Sequence, residues 1–192
     1  MYELPTELLI DGQSIPITNK GDFRMVLDCF ICLNDLELTE YERIIACLII
    51  FYDVKNLNEI PNLEEAIKQM FWFFDCGIDM SSVKSMNYRL IDWERDTMLV
   101  CSAVNKVAGK EIRAEQYIHW WTFIGYYIAI GECSLSLIVQ IRYKTAKNEK
   151  LEKYERKFKQ ENPQYFNFDV RSLEDQQADN YIRDLWNKNS SK

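Results

Sequence analysis

The sequence predicts a mainly α-helical domain with one short N-terminal β-hairpin. Apolar residues recur at helical spacing through most of the chain, residues typical of helix starts precede several of these stretches, and strand-like chemistry is confined to residues 8–17. With 47% apolar residues in 192, the chain can bury a sizeable core. We therefore expect a single helical domain over residues 1–165, a hinge near residues 77–90 and an amphipathic C-terminal tail over residues 166–192.

The hairpin is predicted from a turn pair that lies between two short apolar runs. Asp11 and Gly12, which both tolerate positive φ, separate residues 8–10 from residues 13–17. Pro16 lacks a backbone N–H, so the second strand is expected at an edge.

Three helices are expected after the hairpin, each with a capping residue. Asp22 is expected to cap the first, whose apolar stripe consists of Phe23, Val26, Leu27, Phe30 and Ile31. Thr39 with Glu42, and Asn62 with Glu65, have the spacing of a capping box before the second and third helices. Further helices are expected from Asp92 to near Gly109, over approximately residues 114–130 and along the basic stretch after residue 141.

The run over residues 117–130 holds the only histidine, His119, within an aromatic segment. Its length falls short of the roughly 20 apolar residues that span a bilayer, so a buried helix is expected and no membrane segment. The side chains predicted to lie near the centre of the second half are Trp120, Trp121, Phe123, Ile124 and Tyr127.

Charge is distributed unevenly along the chain. The net charge of −7 argues against a protein built to bind nucleic acid, since neutralising phosphates needs clustered Lys and Arg. Residues 142–159 nevertheless hold eight basic and three acidic residues, a net of +5, which leaves −12 for the rest of the chain. A solvated helix face with interleaved Glu and Lys is the simpler interpretation of this stretch, and a partner surface is the functional one.

We hypothesise that a partner binds the C-terminal third, over residues 142–186. The apolar stripes there are narrow, which favours contact with another protein over a role confined to the core. The candidate partner-binding residues are Arg142, Lys150, Lys153, Tyr154, Lys157, Phe158, Ile182, Leu185 and Trp186.

No pattern in the sequence predicts catalysis, a cofactor or a resident metal. The glycine loops of nucleotide-binding proteins and the common hydrolase and zinc-protease motifs are missing from the sequence. Asp92, Glu94 and Asp96 could hold a hard cation if other ligands joined them, but a helix cap explains them more simply. His119, flanked by aromatic residues, is expected to be a neutral core or boundary histidine that donates one hydrogen bond.

The six cysteines are expected to be reduced thiols that bind no zinc. They are scattered along apolar stretches, and the N-terminus lacks the pattern of a signal peptide. Cys29 and Cys32 have redox or zinc spacing, but no second Cys pair accompanies them.

Several short motifs occur in a distinctive order along the chain. They are Leu4-Pro5, Ile10-Asp11-Gly12 to Ile15-Pro16-Ile17, Asp22-Phe23-Arg24, Ile91-Asp92-Trp93-Glu94-Arg95-Asp96, Ile118-His119-Trp120-Trp121-Thr122-Phe123 and Ile141-Arg142. This order resembles a family of bacteriophage proteins encoded near the tape-measure gene, in the tail module of long-tailed phages and prophages of Gram-positive bacteria. The similarity covers roughly residues 4–165, and the His-Trp-Trp-x-Phe element is its most specific part.

This resemblance implies a tail-assembly chaperone that acts in the host-cell cytoplasm and binds the tape-measure protein or another tail protein. A structural tail or connector subunit retained in the virion is the alternative, and a metal enzyme that uses the Asp92 cluster is a more remote one. The resemblance supplies no catalytic residues, and neither nucleic acid nor membrane is expected as a partner. Homo-oligomer formation is left open.

Overall fold

The computed structural model describes residues 3–35, 37–79 and 88–167. The chain forms two compact units, one from residues 1–83 and 97–131 and the other from residues 84–96 and 132–192. The fold is mainly α with one hairpin, as the sequence predicts. None of the described helices combines the length and the apolar character needed to span a membrane. The predicted hinge near residues 77–90 includes residues outside the described ranges and stays a prediction.

The N-terminal hairpin is present and buries one face. Strand β1 (Glu7–Ile10) pairs antiparallel with β2 (Gln13–Pro16), so that Leu8 lies opposite Ile15. Asp11 and Gly12 between the strands have φ values of 47° and 82°, which the turn requires. Because side chains alternate along a strand, Leu8, Ile10 and Ile15 are buried, whereas Leu9 is exposed.

Three helices follow the hairpin in the first unit: α1 (Phe23–Leu33), α2 (Glu40–Phe51) and α3 (Leu63–Phe74). The three predicted N-cap residues are confirmed, but of the two predicted capping boxes only the one of Thr39 and Glu42 is reciprocal. Asp22 caps α1, Thr39 and Glu42 form a reciprocal capping box at α2, and the Asn62 side chain accepts a hydrogen bond of 3.1 Å from Glu65 N at α3.

Two more helices complete the first unit, α4 (Thr97–Ala108) and α5 (Trp120–Ile128). The predicted start of α4 at Asp92 is wrong, because Asp92 organises a local turn whose backbone does not continue directly as α-helix. The predicted start of α5 near residue 114 is also wrong. A short 3-10 turn (Ile112–Ala114) and an extended segment precede it, and His119 caps the helix.

Helix α5 packs with the N-terminal helices, so the prediction that its aromatic residues centre the second half of the chain is wrong. Trp120 and Phe123 are buried, and the Phe123 ring stacks on Phe23 of α1 with centroids 4.6 Å apart. Trp121, Ile124 and Tyr127 are only half-buried.

The buried face of α1 also differs from the predicted stripe. Ile31 is exposed, whereas Met25 and Cys29 are buried. Because α1 contacts both α2 and α5, its apolar face is wider than one helical stripe and is rotated away from Ile31.

The second unit contains α6 (Ser134–Ala146) and α7 (Lys153–Glu161). The prediction of one helix along the basic stretch over residues 142–159 is wrong. Helix α6 ends at Ala146, and Asn148 adopts a φ of 55° that an α-helix does not accommodate. Helix α7 ends before Pro163 as predicted, and a 3-10 turn (Pro163–Tyr165) follows it.

Candidate partner-binding surface

Helix α7 carries most of the predicted partner-binding residues that the structure describes. Lys153, Tyr154 and Lys157 are exposed on this helix, and Phe158 is half-buried. Lys150 is exposed in the loop before it. Tyr154 shows 56% of its surface to solvent, which is high for a large aromatic side chain. Helix α7 therefore presents lysines and one aromatic ring together.

A buried carboxylate fixes α7 against α6. Glu155 on α7 is fully buried and accepts hydrogen bonds from Lys144 Nζ at 2.7 Å and Gln140 Nε2 at 3.1 Å, both on α6. It also accepts from its own helix start, Glu152 N, at 2.7 Å. Burial raises the pKa of Glu155, but the bonds from Lys144 and Glu152 outweigh burial, so its pKa is lowered and the carboxylate stays charged.

Phe158 contributes to the second unit as well as to the candidate surface. Its ring contacts the ring of Phe166 edge to face, with centroids 6.4 Å apart. The neighbouring Lys159 bonds Thr145 Oγ1 of α6 at 3.2 Å. Phe158 therefore helps to hold α7 in place and has only a partial face left for a partner.

Arg142 does not lie on this surface, although the sequence suggested it as a binding residue. It is 1% exposed, and its guanidinium forms a bidentate ion pair with Asp96. It also donates to the main-chain oxygens of Leu90 and Tyr165. A buried guanidinium whose donors are hydrogen-bonded in this way stabilises the interior of the unit. Arg142 is therefore not part of the candidate surface.

Three other predicted binding residues, Ile182, Leu185 and Trp186, lie outside the described residues. Their role stays a prediction. Of the nine candidates, the structure therefore brings five to one helix and the loop that precedes it, and these five define the α7 surface: Lys150, Lys153, Tyr154, Lys157 and Phe158.

The carboxylate cluster near Asp92 has structural partners in the second unit. Asp92 Oδ1 accepts from the main-chain N–H groups of Glu94 and Arg95, and its Oδ2 lies 3.1 Å from Arg89. Asp96 pairs with Arg142 and accepts from Asp92 N at 3.0 Å. Within the described residues, no group of three or more Asp, Glu, His or Cys side chains is arranged to hold a metal ion.

His119 uses one ring nitrogen to cap α5 and the other to bind the N-terminal segment. Its Nδ1 accepts from Trp121 N at 3.0 Å, and its Nε2 lies 3.0 Å from the carbonyl oxygen of Pro5. These bonds assign the neutral tautomer with the proton on Nε2. Burial lowers the pKa of His119, which agrees with the neutral form.

The two tryptophans after His119 cap the end of α3. The indole N–H of Trp120 donates to the carbonyl oxygen of Phe74, and that of Trp121 donates to Phe73, each at 2.9 Å. The last carbonyls of a helix lack partners within that helix. The paired tryptophans therefore join α5 to α3 by satisfying two of these groups.

Asp22 and Arg24 form a second polar centre that sequence patterns did not reveal. Asp22 caps α1 and also accepts from Ile118 N at 3.0 Å, while Arg24 donates to the carbonyl oxygens of Ile112 and Glu115. The signal available in the sequence was that the Asp22-Phe23-Arg24 and Ile118-His119 motifs both belong to the ordered series of motifs that carries the resemblance to a family. Local helix rules explained Asp22 only as a cap.

All six cysteines are free thiols, as expected. Cys29 and Cys47 are buried between α1 and α2, where Cys47 Sγ lies 3.3 Å from the carbonyl oxygen of Cys29. Helix spacing places Cys32 on the same side of α1, where its Sγ lies 3.8 Å from the carbonyl oxygen of Arg43. These thiols therefore fill the helix interface.

Comparison with known proteins identifies the family. A family model described as bacteriophage Gp15 protein matches residues 3–166, which is most of the chain. Neither the curated proteins nor the solved structures provide a match. The matched region contains His119, the polar centre of Asp22 and Arg24, the ion pair of Asp96 and Arg142, and the α7 surface. The chain is therefore a phage structural or assembly protein that belongs to the bacteriophage Gp15 protein family.

Proposed function

We propose that this protein is a tail-assembly chaperone that binds the tape-measure protein through the α7 surface in the host-cell cytoplasm. Membership of a bacteriophage family supports a role in phage assembly. The observation that carries the proposal is the exposure of Lys153, Tyr154 and Lys157 on α7. The buried Glu155 holds this helix against α6 through its bond to Lys144.

This arrangement suits recognition of a helical, mixed-charge segment. The lysines would accelerate encounter with acidic positions on the partner, while Tyr154 would supply buried contact area after docking. Because Glu155 already holds α7 in place, little conformational entropy would be lost when the partner binds. A tape-measure protein is long and helical with apolar stripes, and a chaperone must cover such stripes reversibly.

The direct test is co-expression of the tape-measure protein with Lys153→Glu/Lys157→Glu and, separately, with Tyr154→Ala. Each variant should retain its helical content and thermal midpoint, because the altered side chains are exposed. Each should bind the tape measure at least about tenfold more weakly and leave more of it insoluble.

The matched control is Lys55→Glu/Lys106→Glu, which changes net charge equally at exposed positions of the first unit. It should support solubility as well as the native chain. If the α7 variants keep the tape-measure protein as soluble as the native chain does, the binding site lies elsewhere. A truncated chain that ends near Asn148 is a poorer test, because it also loses the Tyr165 carbonyl oxygen that accepts from the buried Arg142 and the Glu155 carboxylate that pairs with Lys144.

A structural tail or connector subunit is the other role compatible with the family. The two roles differ in where the protein is found after assembly. Mass spectrometry of purified virions should detect no stoichiometric copies of a chaperone. Stoichiometric presence would overturn the chaperone proposal and favour the structural role.

A further inference from the structure

The first unit contains an open cleft of about 500 Å³ between the N-terminal segment and two tryptophans. Its walls are Glu3, Leu4, Pro5, Thr6, Glu7, Trp72 and Trp121. Trp72 is 38% exposed and Leu4 is 43% exposed, so aromatic and aliphatic surface both face solvent here. This cleft is separate from the α7 surface in both sequence and composition.

The two tryptophan rings are held in a fixed arrangement. They meet edge to face with centroids 5.5 Å apart, and the Trp121 indole N–H is bonded to the Phe73 carbonyl. Gly77 lies behind both rings, where a Cβ would approach Trp121 to 3.0 Å and Trp72 to 3.2 Å. The position favours glycine because its φ is 77° and because a Cβ would crowd both rings.

His119 fixes the wall that the N-terminal segment forms. Its Nε2 is bonded to Pro5 O, which anchors the N-terminal segment, and its Nδ1 caps the main chain at Trp121. A preformed aromatic wall of this kind lowers the ordering cost of binding a ligand.

The charge of the cleft selects its ligand. Glu3 and Glu7 are exposed carboxylates of the wall, and neither forms an ion pair within the described part of the chain. No Lys or Arg is among the lining residues. Tryptophan faces attract cations more strongly than other aromatic rings do, and carboxylates pair with guanidinium or ammonium groups.

We propose that this cleft binds a segment of another protein through an arginine or lysine side chain, which lies against Trp72 and Trp121 and pairs with Glu3 or Glu7. Arginine should be preferred because its planar guanidinium both stacks on tryptophan and forks onto a carboxylate. The partner segment is thus basic, whereas the α7 surface is suited to an acidic or mixed-charge one. The two sites would contact different segments.

The test uses the purified full-length chain and three short Gly/Ser peptides that carry two arginines, two lysines or two citrullines. Citrulline keeps the shape of arginine but lacks its charge. Calorimetric titration should rank the arginine peptide first and the citrulline peptide last. Trp72→Ala should weaken arginine-peptide binding by about 2- to 30-fold, the range expected of a cation–π contact. Glu3→Gln/Glu7→Gln should weaken it by about 2- to 5-fold, the range expected of an exposed ion pair.

The control is Glu37→Gln/Glu40→Gln, which makes the same change in net charge at exposed positions away from the cleft. It should leave binding unchanged. Equal weakening by both double variants would overturn the proposal and indicate diffuse attraction to an acidic protein. Equal binding of the citrulline peptide would also overturn it, because the cleft would then not recognise a cationic side chain. Because Glu3→Gln/Glu7→Gln changes only exposed polar groups, it keeps the test valid if Trp72→Ala affects folding. Neither outcome depends on the tape-measure experiment.

Discussion

Asp96 and Arg142 form a bidentate ion pair inside the second unit, with both side chains 1% exposed. One pair of atoms, Arg142 Nη2 and Asp96 Oδ1, is 2.9 Å apart. The remaining Arg142 donors reach the carbonyl oxygens of Leu90 and Tyr165, so one guanidinium joins the two stretches of chain that build this unit.

Removal of one member of this pair should destabilise the protein strongly. Asp96→Ala leaves a buried guanidinium without its carboxylate and should lower the free energy of unfolding by about 3 to 5 kcal/mol. Urea denaturation of the variant and the native chain measures this difference. Lys68→Met, which removes the exposed pair between Lys68 and Glu64, is the control and should cause little change. An equally small effect of Asp96→Ala would show that solvent reaches Arg142.

Protonation of His119 should destabilise the fold. Its pKa in the folded protein is lowered from the ordinary value because burial disfavours the charged ring. Below about pH 6.5 the unfolded chain therefore binds a proton that the folded chain does not, and stability is lost as pH falls through the folded pKa. In addition, a proton on Nδ1 would remove the acceptor for Trp121 N.

Thermal unfolding between about pH 7.5 and about pH 5.5 tests this prediction. His119→Asn is the matched variant, because asparagine can cap the helix without titrating in this range. The native chain should lose more stability than His119→Asn as pH falls. Parallel curves for the two proteins would mean that His119 does not control the pH dependence.

Trp120 should contribute more to stability than Trp121, although they are adjacent and both cap α3. Trp120 is 1% exposed, whereas Trp121 is half-buried. Trp120→Ala should cost about 3 to 5 kcal/mol through the cavity and the lost bond to Phe74. Trp121→Ala should cost less, because part of its ring already contacts water. Urea titration of both variants gives the order, and the reverse order would contradict the observed burial.

The six cysteines should all react with a thiol reagent once the chain is unfolded without reductant. In the folded protein, Cys29 and Cys47 should be protected because both are fully buried. Burial also raises the pKa of Cys32 and Cys76 to about 11, so little reactive thiolate forms at neutral pH. Mass spectrometry after alkylation counts the labels. Fewer than six in unreduced, unfolded protein would indicate a disulfide.

Local sequence patterns determined the elements whose signals lie within a few residues. Asp11-Gly12 specified the hairpin turn through positive φ, and Thr39 with Glu42 specified the start of α2 through a reciprocal cap. The same rules failed at Asp92 and near residue 114, where helix start signals were not followed directly by an α-helix. A cap residue and apolar spacing permit a helix, but contacts with distant residues decide whether it extends.

The lysines and Tyr154 that the sequence suggested as binding residues in the α7 region are exposed, but the sequence could not distinguish the buried Arg142 from them. All are basic or amphipathic residues in one charged stretch, and only the fold brings Asp96, 46 positions earlier, to Arg142. Composition and spacing thus determined the helical class, the hairpin and the caps. Tertiary structure alone decided which charges are buried and which tryptophans line a cleft, because burial depends on neighbours distant in sequence.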